Sequence, residues 1–275
     1  MNKLPVAVQV YSVRDDAAKD FKGTLQKIKE MGYEGVELAG LYGMAPEEVR
    51  RIADEVGIPV ISAHVPIDQL RADMEKTIED YATIGCQYIA IPWLGNEDRP
   101  GGPNYENLLK DLERIGKACK SKGITLLYHN HDFEFVRMED GTYGLDAMYA
   151  AVSPEYLQTE LDTCWVKVAG EDPAKYIEKY SGRSPVVHLK DFYKEGMPQN
   201  MYELIGTKVE KKADAPKGYF EFRPVGYGMQ DVPALLEASL KAGAKWVVVE
   251  QDASNNRPPM EAIKMSREYL KKLGW

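Results

Sequence analysis

Residues 157–165, LQTELDTCW, carry two acids two positions apart. Leu157, Thr159 and Leu161 alternate with Gln158, Glu160 and Asp162, the period-two pattern of a strand with two distinct faces. Glu160 and Asp162 therefore point the same way, and neighbouring carboxylates repel unless a proton or a cation lies between them. Two similar runs carry imidazoles: residues 124–130, ITLLYHN, hold His129 and lead into His131, while residues 185–191, PVVHLKD, hold His188 and Lys190. A further run, 245–250, KWVVVE, ends on Glu250. Acids and imidazoles at strand tips are the donors that a divalent cation takes, and beside such a cation either group can move a proton.

These tips need a scaffold that gathers them. Short apolar runs rich in Val and Ile recur at 5–13, 33–39, 58–64, 87–92, 124–130, 157–162, 186–190 and 245–250. Between them, helical spacing appears at 17–31, 46–56, 68–84, 105–122, 145–152, 172–180, 231–242 and 259–273. Continuous apolar strands of this kind belong to parallel sheets buried on both faces. Eight strand–helix units predict an α/β fold, a single (β/α)₈ TIM barrel over residues 1–275. A doubly wound open sheet would begin with a Gly-rich turn, and YSVRDD has no glycine. Residues 191–230 interrupt the rhythm as a long insertion after strand seven, expected to cover the barrel mouth. Within it, 208–217 reads as solvated and mobile, 219–223 alternates like a strand folded back over the mouth, and Gly226 and Gly228 permit a tight turn.

In a barrel the chemistry sits at the C-terminal strand ends. Those ends hold Tyr11, Glu37, His64, Trp93, His129, His131, Glu160, Asp162, His188, Lys190 and Glu250, which include all four histidines of the chain. The net charge of -8 over 275 residues, with no basic run, argues against a nucleic-acid partner. Three widely spaced cysteines, Cys86, Cys119 and Cys164, imply no disulfide framework and fit a cytoplasmic location. No signal-like or membrane-length apolar run occurs, so no membrane partner is expected.

The segments VAVQVYSVR, GYEGVELAG, LDTCW and VVHLKD, and the Gly226 and Gly228 stretch leading to VVVEQD, follow one another along nearly the whole chain. In that order they resemble the xylose isomerase-like TIM-barrel superfamily, which holds sugar phosphate isomerases and epimerases, inosose dehydratases and endonuclease IV. The resemblance implies one divalent metal ion (Mn²⁺, Mg²⁺, Co²⁺ or Zn²⁺). Its ligands would be a strand-five glutamate, the LDT aspartate, the HLKD histidine and a strand-eight glutamate. Asp162, His188 and Glu250 match the last three, while the strand-five place falls on His129, a departure. Glu160 shares a face with Asp162, so the expected set is Asp162, His188 and Glu250 completed by Glu160, His129 or both.

The implied activity is that of an isomerase or epimerase, or a dehydratase, acting on a small-molecule sugar or keto-polyol by proton abstraction beside a metal-bound carbonyl. Glu250 is one expected acid/base, with His129, His131 or Glu160 opposite. Lys190 either binds an oxyanion or a substrate hydroxyl, or pairs with Asp162 or Asp191. His64, matched by a histidine in many relatives, is expected on substrate hydroxyls. Trp93 and Trp165 either stack on a sugar or simply pack. Glu37 either touches substrate or pairs with Arg14, and Arg223 either clamps a phosphate or is a surface residue. Relatives often pair through their helices, which makes a homo-oligomer one expectation. Endonuclease IV chemistry needs histidines where this chain has Trp165 and the Pro92, Trp93 pair. A non-catalytic sugar-binding barrel is the remaining alternative; the absent strand-five glutamate favours it, and the survival of Asp162, His188 and Glu250 together opposes it.

Overall fold

The computed structural model describes residues 3–196, 201–205 and 218–275. The strands are β1 (Val6–Gln9), β2 (Gly35–Ala39), β3 (Val60–His64), β4 (Tyr88–Ile91), β5 (Thr125–His129), β6 (Gln158–Asp162), β7 (Val186–Leu189), β8 (Asp191–Gly196), β9 (Gly218–Arg223) and β10 (Trp246–Val249). Eight of them close a parallel barrel in the order β1-β10-β7-β6-β5-β4-β3-β2, and β8 pairs with β9 in a separate antiparallel hairpin. The helices around it are α1 (Arg14–Lys19), α2 (Phe21–Met31), α3 (Pro46–Val56), α4 (Ile67–Ala72), α5 (Met74–Ile84), α6 (Tyr105–Ser121), α7 (Gly144–Ala151), α8 (Thr163–Val168), α9 (Pro173–Lys179), α10 (Val232–Ala242) and α11 (Pro259–Lys272). The expected (β/α)₈ barrel is present.

Two helices expected to be continuous are each divided by an aspartate. Asp20 separates α1 from α2 and accepts from the Gly23 amide at 2.9 Å; Asp73 separates α4 from α5 and accepts from the Lys76 amide at 3.2 Å. An aspartate that caps a new helix competes with the backbone bond that would have continued the old one. The first strand is shorter than its apolar run. Gln9 folds its side chain back to accept from the Tyr11 amide at 2.9 Å, and Val10–Val13 becomes a 3-10 turn.

The barrel interior is split by height. Its floor is apolar, with Ala7, Ile61, Tyr88, Leu127, Val186 and Val248 packed on one another. Two residues further along the same strands, Gln9, His129, His188 and Glu250 face inward instead and form a polar layer. Outward residues of the strands, such as Leu126, Leu161, Val187 and Val249, join the main core against the helices. The apolar floor fixes the strands by burial, so the polar layer need not stabilise the fold itself.

Part of the expected insertion is a hairpin. Phe192, Phe220 and Phe222 on β8 and β9 pack on Cys164 and Trp165 of α8, with Met201, Tyr202 and Leu204 alongside. The hairpin ends on a turn held by Asp191, whose carboxylate accepts from the amides of Gly226 (3.0 Å), Gly228 (3.0 Å) and Gln230 (3.1 Å). Lys190 therefore pairs elsewhere, and the expected alternative with Asp191 is replaced by this clasp. The segment 208–217, expected to be a mobile cover, lies outside the described residues. A Cβ on Gly228 would run into Asp191 Oδ1 and the Phe192 carbonyl oxygen. Gly228→Ala should therefore lower unfolding free energy by about 1–3 kcal/mol, the usual cost of an overpacked site. Urea denaturation checks this; an unchanged midpoint would show that the turn yields.

Candidate active site

Register brings the chemistry together. His129 lies opposite Glu160 across β5 and β6, Asp162 opposite His188 across β6 and β7, and Gln9 opposite Glu37 across β1 and β2. Glu160 accepts from His64 Nε2 at 2.7 Å and His129 Nδ1 at 3.0 Å. The other face of His129 looks at Asp162, with Nε2 3.4 Å from Oδ2. His188 is held between two acids, Nδ1 3.0 Å from Glu250 and Nε2 2.8 Å from Glu37. The Gln9 amide donates to Glu37 Oε1 at 2.8 Å. Lys190 Nζ lies 2.8 Å from both Asp162 Oδ2 and Glu250 Oε2, and 3.0 Å from Asp252 Oδ2. All of these side chains are buried.

Among the described residues, two overlapping sets of four could hold a cation: His64, His129, Glu160 and His188; and His129, Asp162, His188 and Glu250, the ligand atoms of each set lying within 4.8 Å of one another. Glu37 Oε2 and Glu160 Oε1 are buried with no hydrogen-bond partner among the described residues, while Asp162 Oδ2 is ion-paired with Lys190. Unpaired buried carboxylate oxygens beside imidazoles fit a divalent cation.

The acids and bases polarise one another. Burial opposes the charge on His64, but Glu37 and Glu160 outweigh it and hold the ring up to about 10. Burial is likewise overcome at His188 by Glu160 and Glu37, and at His129 by hydrogen bonds to Asp162 and Glu160, so both sit above the ordinary imidazole range. Against the burial that would raise them, Glu160 is lowered by the His188 and His64 charges, Asp162 by Lys190, and Glu250 by Lys190 and His188. His131 goes the other way. Burial and the charges of His129 and Lys190 push it well below the usual range, so it stays neutral.

A cavity of about 510 Å³ opens above this layer, lined in part by Tyr11, His64, Trp93, His129, His131, Lys190, Glu250 and Asp252. It has the size and mixed lining of a small-molecule site. His131 Nδ1 is buried there without a hydrogen-bond partner among the described residues. The Trp93 and His131 rings stand nearly perpendicular with centroids 4.8 Å apart, and the Arg99 guanidinium lies 4.8 Å from the Trp93 ring centroid and 3.7 Å from that of Phe133.

Three sequence expectations change place. Trp165 is on α8, not at a strand end; it is fully buried under the hairpin and does not line the cavity. Its backbone follows Asp162, whose side chain caps α8 by accepting from the Cys164 amide at 2.8 Å, so the LDTC run turns into a helix one residue after the strand. Glu37 does not pair with Arg14, which instead donates to the carbonyls of Tyr11 and Asp252 at 2.9 and 2.8 Å. Arg223 does not line this cavity and donates to Glu221 at 2.5 Å.

Sequence reasoning missed Gln9, Asn130, Glu134 and Asp252. Asp252 stands two residues after Glu250, the same period-two signal that links Glu160 to Asp162. Asn130 Oδ1 accepts from the Asp162 amide at 3.0 Å and ties β5 to β6. Glu134, in the turn Phe133–Phe135, accepts from the His131 amide at 2.8 Å and from the Tyr128 hydroxyl. It lies beyond a strand end, where strand-based reading did not look.

The chain belongs to the xylose isomerase-like TIM barrel family, whose sequence model matches residues 25–273. An inosose dehydratase of Geobacillus kaustophilus is 25% identical over 275 residues, covering 90% of this chain and 86% of that protein. The crystal structure of a sugar phosphate isomerase/epimerase from Parabacteroides distasonis superposes with a TM-score of 0.79 at 20% identity, over 98% of this chain and 94% of that one. The IOLI protein, solved with a zinc atom, superposes with a TM-score of 0.68 at 13% identity, over 98% of both chains. No helix of the described residues is long and apolar enough to cross a membrane.

The fully buried Glu134 gives a pH test of this geometry. Burial pushes its carboxyl up to about 7 from 4.5, against the hydrogen bonds from Tyr128 and His131 that lower it. The folded pKa exceeds the unfolded one, so the stability tied to its proton is complete below pH ~4.5 and is lost as pH rises through ~7. Glu134→Gln should remove roughly 1–3 kcal/mol of the stability loss between pH 5 and 8. Denaturant titrations of both proteins at the two pH values measure it; parallel losses would mean that Glu134 ionises freely.

Proposed function

We propose that the chain is a metal-dependent sugar or keto-polyol isomerase or epimerase whose first step, shared with dehydratases, removes a proton from the carbon beside a carbonyl. The observation that carries the reading is the joining of His129, Asp162, His188 and Glu250 around one point at the floor of a sugar-sized cavity. The names of the relatives support the same class. His129, Asp162, His188 and Glu250 would hold the cation, and Glu160 would orient His129 through Nδ1 in the manner of a carboxylate–histidine pair. When bound, the cation supplies Lewis-acid polarisation of the substrate carbonyl.

The remaining steps fall to side chains lining the cavity. Lys190, kept protonated and in place by the neighbouring acids, sets its positive charge beside the oxygen that gains negative charge. Glu250, ionised, and His131, neutral with a free buried nitrogen, are the two groups able to take or return the proton. Trp93 and His64 bound the substrate ring, the first by its aromatic surface and the second by hydroxyl contacts. A return of the proton to the other face gives epimerisation, to the neighbouring carbon isomerisation, and loss of a β-hydroxyl gives dehydration.

A second reading is favoured by the position of Lys190. Its ammonium already lies between Asp162 and Glu250, so it can take the place of a metal ion in a metal-free proton transfer. Elemental analysis separates the two. The first reading expects one metal per chain, and with two imidazoles in the donor set, uptake of Zn²⁺, Co²⁺ or Mn²⁺ ahead of Mg²⁺. His129 and His188 must lose their protons to ligate, so metal affinity should rise with pH, with protons released on binding. Calorimetry in buffers of different ionisation enthalpy reads that release. No metal uptake at all, with activity retained, would leave Lys190 as the cation.

Glu250→Gln keeps the volume and an oxygen donor but removes the base. Turnover should fall ~10²–10⁴-fold with the protein still folded. Solvent deuterium incorporation, screened over keto-sugars and inososes, should fall in step. Near-normal exchange in the variant would assign the proton to His131.

A further inference from the structure

Lys190 and a divalent cation compete for the same two oxygens. Lys190 Nζ lies 2.8 Å from both Asp162 Oδ2 and Glu250 Oε2. The two imidazoles of that ligand set face those oxygens as well. His129 Nε2 is 3.4 Å from Asp162 Oδ2 and 3.9 Å from Glu250 Oε2, and His188 Nδ1 is 3.0 Å from Glu250 Oε2. A cation held by these four residues would sit against the ammonium, and like charges at such range repel strongly where water is excluded. Lys190 has to loosen its hold on both acids for that set to close.

Where the ammonium goes is decided by its third partner. Asp252 Oδ2 is 3.0 Å from Nζ, and Asp252 belongs to neither set of candidate ligands. Lys190 and Asp252 both line the mouth cavity, whereas Asp162 does not. A shift from Asp162 toward Asp252 thus carries the charge toward the substrate space. The nearby Trp165 and Phe222 rings, with centroids 5.8 and 5.7 Å from Nζ, offer it no carboxylate. Without Asp252, a lysine displaced from the other two acids would be a buried charge lacking a partner, which is strongly destabilising.

Asp252 keeps its place without help from the lysine. Arg14 donates to the Asp252 carbonyl at 2.8 Å, and the Gln251 amide donates to Ser12 Oγ at 3.0 Å. Ser12 and Arg14 follow β1, so the segment after β10 is tied to the strand that pairs with it. We propose that Asp252 is a positioning residue, which takes over the Lys190 ammonium when Asp162 and Glu250 take a cation and holds it facing the substrate. This rests on the metal-dependent reading of the mouth. It gives one lysine two stations, the first on the ligands and the second beside the substrate.

A crystal structure of the full-length protein grown with Zn²⁺ tests the shift without turnover. Lys190 Nζ should remain in hydrogen-bond reach of Asp252 and lie beyond ~3.5 Å from Asp162. An ammonium unmoved between Asp162 and Glu250 beside bound zinc, or one turned away from Asp252, would overturn the proposal. Calorimetry with Zn²⁺ reads the consequence. Asp252→Asn keeps the shape and removes the charge, and should weaken binding about 10–100-fold, as loss of a group behind the ligands does. Asp252→Glu should recover most of that loss. An unchanged affinity in Asp252→Asn would also overturn the proposal.

The third readout is solvent deuterium exchange on a keto-sugar at saturating Zn²⁺. Asp252→Asn and Lys190→Met should each slow it, and the double variant should be no slower than Lys190→Met, because residues that act as a unit are not additive. Additive losses would mean that Asp252 acts apart from the lysine and would overturn its assigned role. The first two measurements need no Lys190 variant, so they stand if Lys190→Met fails to fold. A wild-type protein that takes up no zinc would remove the metal reading and this proposal together. Zinc uptake with Lys190 unmoved would remove the proposal alone, and a shifted Lys190 with no exchange on any keto-sugar would remove the reaction alone.

Discussion

The Lys190 ammonium, 1% exposed, has Asp162, Glu250 and Asp252 all within 3.0 Å. Taking a single ion out of water costs several kcal/mol even after relaxation, and the barrel mouth holds five buried acids: Glu37, Glu160, Asp162, Glu250 and Asp252. Strands about 4.8 Å apart cannot spread these charges, so the cations must come to them. Lys190 and the raised imidazoles of His64, His129 and His188 do so. Removing any one leaves an acid uncompensated, at a cost of roughly 3–5 kcal/mol. The same balance makes the layer exchangeable, since a positive charge arriving from solvent can replace protons the imidazoles give up.

Such a layer folds only on a floor that does not need it. Ala7, Ile61, Leu127, Val186 and Val248 fill the lower barrel, and the helices close its outside. Four consecutive residues then divide the work at the top of β7. His188 points inward between Glu37 and Glu250, Leu189 points outward into the core, Lys190 returns inward to the acids, and Asp191 leaves the barrel to clasp the 226–230 turn. Strand alternation assigns the first three; the end of the strand frees the fourth. The clasp in turn seats the hairpin whose phenylalanines cover Trp165 and Cys164.

The barrel was legible because parallel strands and their helices are written locally, in apolar runs and helical spacing. All four histidines at strand ends pointed to the mouth before any geometry was known. Period two also placed Glu160 and Asp162 on one face. Where the reading ended was at residues set by a turn. Trp165 looked like a strand end, but the Asp162 cap starts α8 there. Glu134 acts from a 3-10 turn, and Gln9 from a side chain folded onto its own backbone. Asp20 and Asp73 broke helices by an i to i+3 bond that a periodicity count does not weigh. The pairing of Lys190 with Asp252 depended on a chain end crossing from β10, a long-range fact that spacing alone does not carry.

His129 stands where the family resemblance called for glutamate, and its surroundings explain how a barrel can carry that exchange. Its partner across β5 and β6 is Glu160. A glutamate at position 129 would set two carboxylates side by side in a dry layer, each raising the cost of ionising the other. An imidazole instead takes Glu160 on Nδ1 at 3.0 Å and turns Nε2 toward Asp162 at 3.4 Å. The negative charge absent from position 129 is thus present one strand over, and the imidazole links it to the other acids. A set of His129, Asp162, His188 and Glu250 then carries two carboxylates, enough to neutralise a divalent cation, while Glu160 stays with His64 and His129. The departure moves one charge outward by a single hydrogen bond and leaves the electrostatics of the mouth closed.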